Sequence, residues 1–254
     1  MLTAITRAVS RSLLNCELTW LEREPIDIGR AIAQHHAYEA LLAELGAHVI
    51  RLPALEDHPD AVFVEDPALV LDEVAVITSM GCESRRGERE TLAAALAEFR
   101  PVLRMRDPAR LEGGDVMRIG RELYAGLSAR TDAAGVKELA WLLQPYGYRV
   151  TAVELRDCLH LKSACSYLGN NTVLINRKWL DTTALRGYQF LDVAESEPAA
   201  ANALVVNGTV VIPSAWPATA QKIEAGGFPV RVVDVTELLK AESGVTCSSL
   251  LFHS

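Results

Sequence analysis

The sequence predicts an α/β protein in which strand–strand–helix–strand units repeat and pack in a ring, strands inside and helices outside, around a central polar channel. Three observations predict it: apolar patterning that alternates between strand-like and helix-like periods, turn residues placed between paired short strands, and recurrence of the same order of elements along the chain. An open doubly wound sheet would also alternate strands with helices. The absence of G-x-G-x-x-G and G-x-x-x-x-G-K-[ST] removes the usual nucleotide-binding versions of that alternative.

Taken in order, residues 26–45 form an amphipathic helix with Ile28, Ile32, Leu41, Leu42 and Leu45 on one face, ended by Gly46 and followed by a strand at 49–52. Strands at 69–71 and 74–78 precede a helix carrying Leu92, Leu96 and Phe99, and Pro101 separates it from a strand at 102–105. Strands at 116–119 and 123–125 flank a turn at Gly120-Arg121. Thr131 or Asp132 caps a helix with Val136, Leu139, Leu142 and Leu143, and a strand follows at 148–153. The next copy is less regular, with strands at 165–168 and 172–176 around Gly169 and a weak or missing helix. In the last, strands at 203–206 and 209–212 are joined by Asn207-Gly208, which suits a type I′ turn because both central residues need positive φ. A helix at 217–225 and a strand at 230–235 complete it. Four to five such units cover the chain, and none can bury its apolar face without a neighbour.

The 254 residues, half of them apolar and 23% charged, suit one closed domain spanning 1–254. A net charge of -8 without any basic run argues against a nucleic-acid surface. The N-terminal stretch is broken by Arg7 and Arg11, and no apolar run is long enough to span a bilayer, so neither secretion nor a membrane is expected. Five cysteines without regular spacing predict free thiols in a reducing, cytoplasmic compartment.

The sharpest local feature is Gly244-Val245-Thr246-Cys247-Ser248-Ser249, a thiol flanked by small hydroxyl residues after a glycine. A cysteine nucleophile needs a group to manage protons, and histidine is the usual choice. Of six histidines, His160 stands out because it directly precedes a predicted strand, so its ring can project at the strand end. Zinc binding by Cys158, His160 and Cys165 is disfavoured: the spacing is unusual and no second C-x-x-C closes a tetrahedral site. Acidic pairs stand at Glu65-Asp66, before a proline, and at Glu112 and Asp115, around a glycine pair. A planar cation rich in N–H donors, such as a guanidinium, needs carboxylates in its plane. Arg85-Arg86 and Arg130 could serve an amino-acid carboxylate in the same way.

These segments together resemble the dimethylarginine dimethylaminohydrolases, within the superfamily that includes arginine deiminases and amidinotransferases. The resemblance runs through Gln34-His35-x-Ala37-Tyr38, Pro59-Asp60-x-Val62-Phe63-Val64-Glu65-Asp66-Pro67, Glu83-Ser84-Arg85-Arg86-Gly87-Glu88, Glu112-Gly113-Gly114-Asp115, Gly126-Leu127-Ser128-Ala129-Arg130-Thr131, His160-Leu161-Lys162 and Val245-Thr246-Cys247. It implies a five-bladed α/β propeller of pseudo-fivefold symmetry, the pentein fold. It implies Cys247 as nucleophile, His160 as acid then base, and Glu112 and Asp66 as the carboxylates gripping the guanidinium. Asp60 and Glu65 would line the substrate pocket, and Arg85 and Arg130 would clamp the α-carboxylate. Backbone at Leu18, on a lid, and at Ala241 would meet the amino group. The implied partner is a methylated arginine, with no metal or other cofactor, and the resemblance leaves room for a homodimer. The sequence departs from the family around Ala241 to Gly244 and over 177–189. An arginine deiminase and a catalytically silent arginine-binding propeller are the rival readings.

Overall fold

The computed structural model describes residues 1–254. Five three-stranded sheets share one plan: a central strand has an antiparallel partner on one side and, on the other, pairs parallel with the strand after it. In four of the five the antiparallel partner is the preceding strand, reached by a tight turn, whereas the parallel one requires a crossover.

In the sheet of β1 (Leu2–Arg7) and β2 (His48–Leu52), the crossover is helix α1 (Ile28–Glu44). Asp27 caps α1 by accepting from the Arg30 amide at 3.0 Å, and Gly46 at φ 89° ends it. Helix α2 (Arg89–Ala97) follows the hairpin β3 (Ala68–Val70) and β4 (Ala75–Ile77) and leads to β5 (Val102–Arg104). Helix α3 (Ala133–Leu143), capped by Asp132, connects the hairpin β6 (Val116–Ile119) and β7 (Glu122–Leu127) to β8 (Arg149–Glu154). A single turn, α4 (Leu161–Ala164), opens the next unit, β9 (Cys165–Gly169), β10 (Thr172–Ile175) and β11 (Gln189–Asp192). Its crossover holds only the 3-10 turn Thr182–Leu185, in line with the weak helix the sequence predicts. The last unit is β12 (Leu204–Val206), β13 (Thr209–Pro213), α5 (Pro217–Ala225) and β14 (Val230–Val233). Its turn residues Asn207 and Gly208 have φ of 46° and 80°, as a type I′ turn demands.

After a short turn, α6 (Thr236–Leu239), the chain returns to the first sheet as β15 (Leu250–His253). Leu2 pairs with His253 and Ile5 with Leu250, so the two ends of the chain close the ring. Strands β1, β11 and β15 have no counterpart in the sequence reading. Two of them are each other's partners across nearly the full length of the chain, so no local pattern announces the pairing.

Five apolar clusters hold the ring together, and each joins adjacent sheets. Leu69 and Val76 pack with Leu123 and Leu139, for example, and Leu168 and Leu174 with Val210 and Ile223. Each unit is therefore stabilised mainly by its neighbours. One strand from every sheet lines a central cavity of about 290 Å³, through Leu69, Met117, Tyr167, Val205 and Leu251. The channel was expected to be polar. Its lining is mainly apolar because these strands also close the core, and its polar groups include Glu65, Lys162 and Thr246. No helix is long and apolar enough to cross a membrane, and all five cysteines are free.

Candidate active site

Cys247 lies in the turn that feeds β15, and three neighbours hold that turn. Asn202 accepts from the Thr246 amide at 3.1 Å and donates to the Thr246 hydroxyl at 2.9 Å. The buried Tyr38 hydroxyl donates to the Val245 carbonyl at 2.8 Å, and the Glu65 amide donates to the Cys247 carbonyl at 3.1 Å. Gly244 is required here, since a Cβ would come within 2.3 Å of the Asn202 side chain. Its amide points at the Cys247 sulfur, 3.3 Å away.

His160 occupies the residue before α4, not directly before a strand as the sequence suggested; one helical turn separates it from β9. Its Nε2 is 2.9 Å from Glu112 Oε2 and its Nδ1 is 3.9 Å from Asp66 Oδ1. Gly114 allows this approach, because a Cβ would lie 2.6 Å from both His160 Nδ1 and Asp66 Oδ1. The fully buried Asp115 anchors the turn below, accepting from the Leu161 amide at 2.9 Å and the Ser128 hydroxyl at 2.6 Å. Asp66 in turn accepts from Arg85 at 2.6 Å and from the Gly114 amide at 3.1 Å.

A small cavity of about 20 Å³ is lined by Asp60, Asp66, Arg85, Arg130, His160, Ala241 and Cys247, among others. The fold thus brings the thiol, the imidazole and most of the residues named from sequence to one place. Glu112 reaches it through His160, and its Oε1 accepts from the Cys82 amide at 3.2 Å and from Arg130 at 3.5 Å. Leu18 packs with Cys247 against the same apolar cluster. Asp60 accepts from the Glu17 amide at 3.0 Å and so ties down the start of the segment 17–24.

Glu65 departs from expectation. It lines the central cavity and not the small one, and its carboxylate is engaged by Lys162 at 2.5 Å and Thr246 at 2.7 Å. That pairing follows from burial, since a carboxylate out of water must find a cation and donors. Arg85 lines the small cavity but is buried against Asp66 and Glu88 and also donates to the carbonyls of Asp60 and Phe63. Arg130, with one long contact to Glu112 and one to Thr19, is the less committed of the two arginines. Asn202, Tyr38 and Lys162 are supporting residues to which sequence reasoning gave no role, and Asp115, read there as one of a pair of candidate acids, instead anchors the turn beneath His160. No spacing signal marks them, because each acts by a contact distant in the chain.

The electrostatics favour a cation. Burial alone would lower the pKa of His160, but Asp66, Asp115 and Glu112 outweigh it and push it up to about 9. Burial works against ionised Glu112 and Asp66, yet the imidazolium, and for Asp66 also Arg85, keeps both below the ordinary carboxylate range. The Cys247 thiol is pushed up to about 12, first by burial, then by Glu65 and Asp66, with the Gly244 amide acting in the opposite sense. Asp60 and Glu65 are raised, chiefly by burial. One oxygen or nitrogen each from Asp66, Glu112 and His160 lie within 4.8 Å of one another, a spacing that suits a metal ion. Two of these groups, His160 Nε2 and Glu112 Oε2, instead bond each other at 2.9 Å. Cys158 and Cys165 are buried in an apolar cluster, while the His160 ring is directed at Glu112.

Comparison with known proteins places this geometry. The family profile described as N,N dimethylarginine dimethylhydrolase, eukaryotic, matches residues 17–197. The chain is 37% identical over 250 residues to the N(G),N(G)-dimethylarginine dimethylaminohydrolase of Pseudomonas aeruginosa, covering 98% of each. It is 37% identical over 248 residues to the protein of that name from Streptomyces coelicolor, covering 97% of this chain and 95% of the relative. It superposes with a TM-score of 0.94 and 36% identity on the Pseudomonas aeruginosa enzyme, solved as a cysteine-to-serine mutant complexed with citrulline, covering 98% of each chain. The N-terminal domain of a cyanobacterial arginine dihydrolase, 22% identical with a TM-score of 0.88 over 98% of this chain and 97% of that one, shares the fold.

Proposed function

The chain belongs to the dimethylarginine dimethylaminohydrolase family, and from that premise we propose that it hydrolyses asymmetric dimethylarginine and monomethylarginine to citrulline and dimethylamine or methylamine. The observation that carries this reading is the placement of the His160 ring between Glu112 and Asp66, in a cavity shared with the Cys247 thiol.

Glu112 and Asp66 hold the substrate guanidinium, and Arg130, with Arg85 behind it, faces the α-carboxylate. The backbone of Leu18 and Ala241 takes the amino group. Asp60 holds the lid amide and Glu65 holds the nucleophile turn, so both act through structure around the substrate. With its pKa near 12, the thiol is almost wholly protonated at neutral pH. A guanidinium placed beside it offsets the carboxylates that disfavour the thiolate, so the substrate itself generates its nucleophile as the thiol proton passes to solvent.

The thiolate then forms a bond to the guanidinium carbon. His160 gives its proton to the methylated nitrogen, the C–N bond breaks, and the amine departs to leave an S-alkylthiouronium on Cys247. Neutral His160 next takes a proton from water, whose oxygen attacks the same carbon. Collapse breaks the C–S bond and forms the ureido carbonyl of citrulline as the hydroxyl proton passes to the departing sulfur, which restores the thiol. Glu112 and Asp66 stabilise the cationic centre in both stages, a role worth about 3 kcal/mol per well-placed group. The reaction as written needs no cofactor.

The test is citrulline release from asymmetric dimethylarginine, monomethylarginine and arginine assayed side by side. The methylated substrates are turned over, and Cys247→Ser lowers the rate by about 10⁴-fold or more with an unchanged circular dichroism spectrum. Turnover of arginine alone would make the protein a deiminase, and binding without turnover of any of the three would make it a silent propeller.

A further inference from the structure

We infer that Glu242 is a positioning residue: its carboxylate fastens the segment 17–24 over the cavity and so sets the Leu18 backbone against the substrate amino group. The substrate named here rests on the methylarginine reading, whereas the fastening itself is independent of it.

Three consecutive backbone amides converge on this one side chain. The Thr19 amide donates to Oε2 at 2.9 Å, and those of Trp20 and Leu21 donate to Oε1, the latter at 2.5 Å. A run of neighbouring N–H groups turned inward on an anion is a favourable and directional arrangement. Packing holds this stretch only at Leu18, because the Trp20 and Leu21 side chains are exposed. Its other external ties are single bonds, from the Glu17 amide to Asp60 at 3.0 Å, from Ser84 to the Glu17 carboxylate at 2.7 Å and from Arg130 to the Thr19 hydroxyl at 3.2 Å. Arg23 folds the segment on itself through the carbonyls of Leu14 and Cys16.

The backbone of Glu242 supplies a second argument. Its φ is 55°, in the left-handed region that side chains with a Cβ rarely adopt. Glycine would suit the position better on conformational grounds alone. A glutamate here bears a strain that its side-chain contacts offset, and such outliers gather where a constraint is in use.

The third argument is size. A cavity of about 20 Å³ is smaller than an arginine derivative, so its wall must open to admit one, and Glu17, at the start of the segment, is part of that wall. Glu242, Ser243 and Leu159 line both this cavity and an outer one of about 440 Å³ whose wall includes Trp20 and Leu21. Glu242 therefore forms part of the wall of both. It also belongs to the turn that carries Cys247, so lid and nucleophile share one support.

Glu242→Gly separates the two properties of this residue, since it relieves the backbone while removing the carboxylate; Glu242→Gln keeps the shape and removes the charge. Hydrogen–deuterium exchange of the full chain is expected to show amides 19–21 exchanging at least about tenfold faster in both variants, with the strand amides unchanged. For asymmetric dimethylarginine, KM rises about tenfold while kcat changes by less than about threefold. Unchanged exchange at 19–21 in both variants would overturn the inference, as would a Glu242→Gly enzyme with wild-type KM. If the parent protein hydrolyses none of the three arginines, the functional reading fails while the exchange measurement still decides the role of Glu242.

Discussion

Two walls enclose Cys247. The inner wall, with His160, Glu112, Asp66 and Asp115, is buried, and its charges are satisfied by one another and by Arg85. The outer wall, residues 17–24 with Glu242 and Arg130, is more exposed and is held by amides and a hydroxyl on carboxylates and by Arg130 on the Thr19 hydroxyl. Proton transfer tolerates little error in distance, so it belongs on the wall that cannot move. Entry and release need motion, and the proposed fastening by Glu242 assigns that motion to a segment with few buried apolar side chains.

Substitutions on the inner wall should therefore lower kcat, and those on the outer wall should act mainly on KM. The largest effect is expected for Glu112→Gln, which removes the hydrogen-bonded anion opposite His160 and lowers kcat by about a thousandfold. It also alters the pH profile with a defined sign. In the proposed mechanism His160 acts as an acid when protonated, and its pKa, pushed up to about 9, is sustained by Asp66, Asp115 and Glu112. Loss of one of these charges lowers that pKa, so the alkaline limb of kcat moves to lower pH. A limb that stays in place or moves upward would remove His160 from the proton transfer.

Gly114→Ala tests the rigidity of the same wall. The new methyl group would lie 2.6 Å from His160 and from Asp66, so kcat should fall about a hundredfold and stability by about 2 kcal/mol. Denaturant unfolding and steady-state kinetics on one preparation would show whether the two losses occur together. On the outer wall, Arg130→Ala should raise KM about thirtyfold with kcat within about threefold, since it removes the charge proposed to meet the bound carboxylate. A loss confined to kcat would place Arg130 with the chemistry and erase the contrast. The smallest effect is expected for Asp115→Asn. The Leu161 amide keeps an acceptor, so kcat at neutral pH falls only about threefold, while the alkaline limb drops by about half a pH unit.

The legibility of each wall in the sequence follows its connectivity. The units at 68–104, 116–154 and 204–233 were readable because hairpin, helix and strand are local, and each turn and cap is chosen by adjacent residues. Asn207-Gly208 and the cap at Asp132 fell where those rules put them. Cys247, His160 and the two acidic pairs were readable as reactive groups because few side chains can perform their chemistry. The resemblance to a known family assigned their partnership. Spacing alone could not, since Glu112 and His160 are 48 positions apart and meet only when two sheets pack.

The sequence by itself determined the repeating unit, the turns that shape it and the chemical repertoire near its loops, because these depend on residues within one turn or hairpin of each other. Only the tertiary structure decided that β15 closes the ring against β1, that Glu65 pairs with Lys162 away from the small cavity, and that Glu242 gathers the amides of a segment more than two hundred residues earlier. Those outcomes depend on which distant groups are buried together, and burial obliges each charged or polar atom to take whatever partner the fold brings within reach.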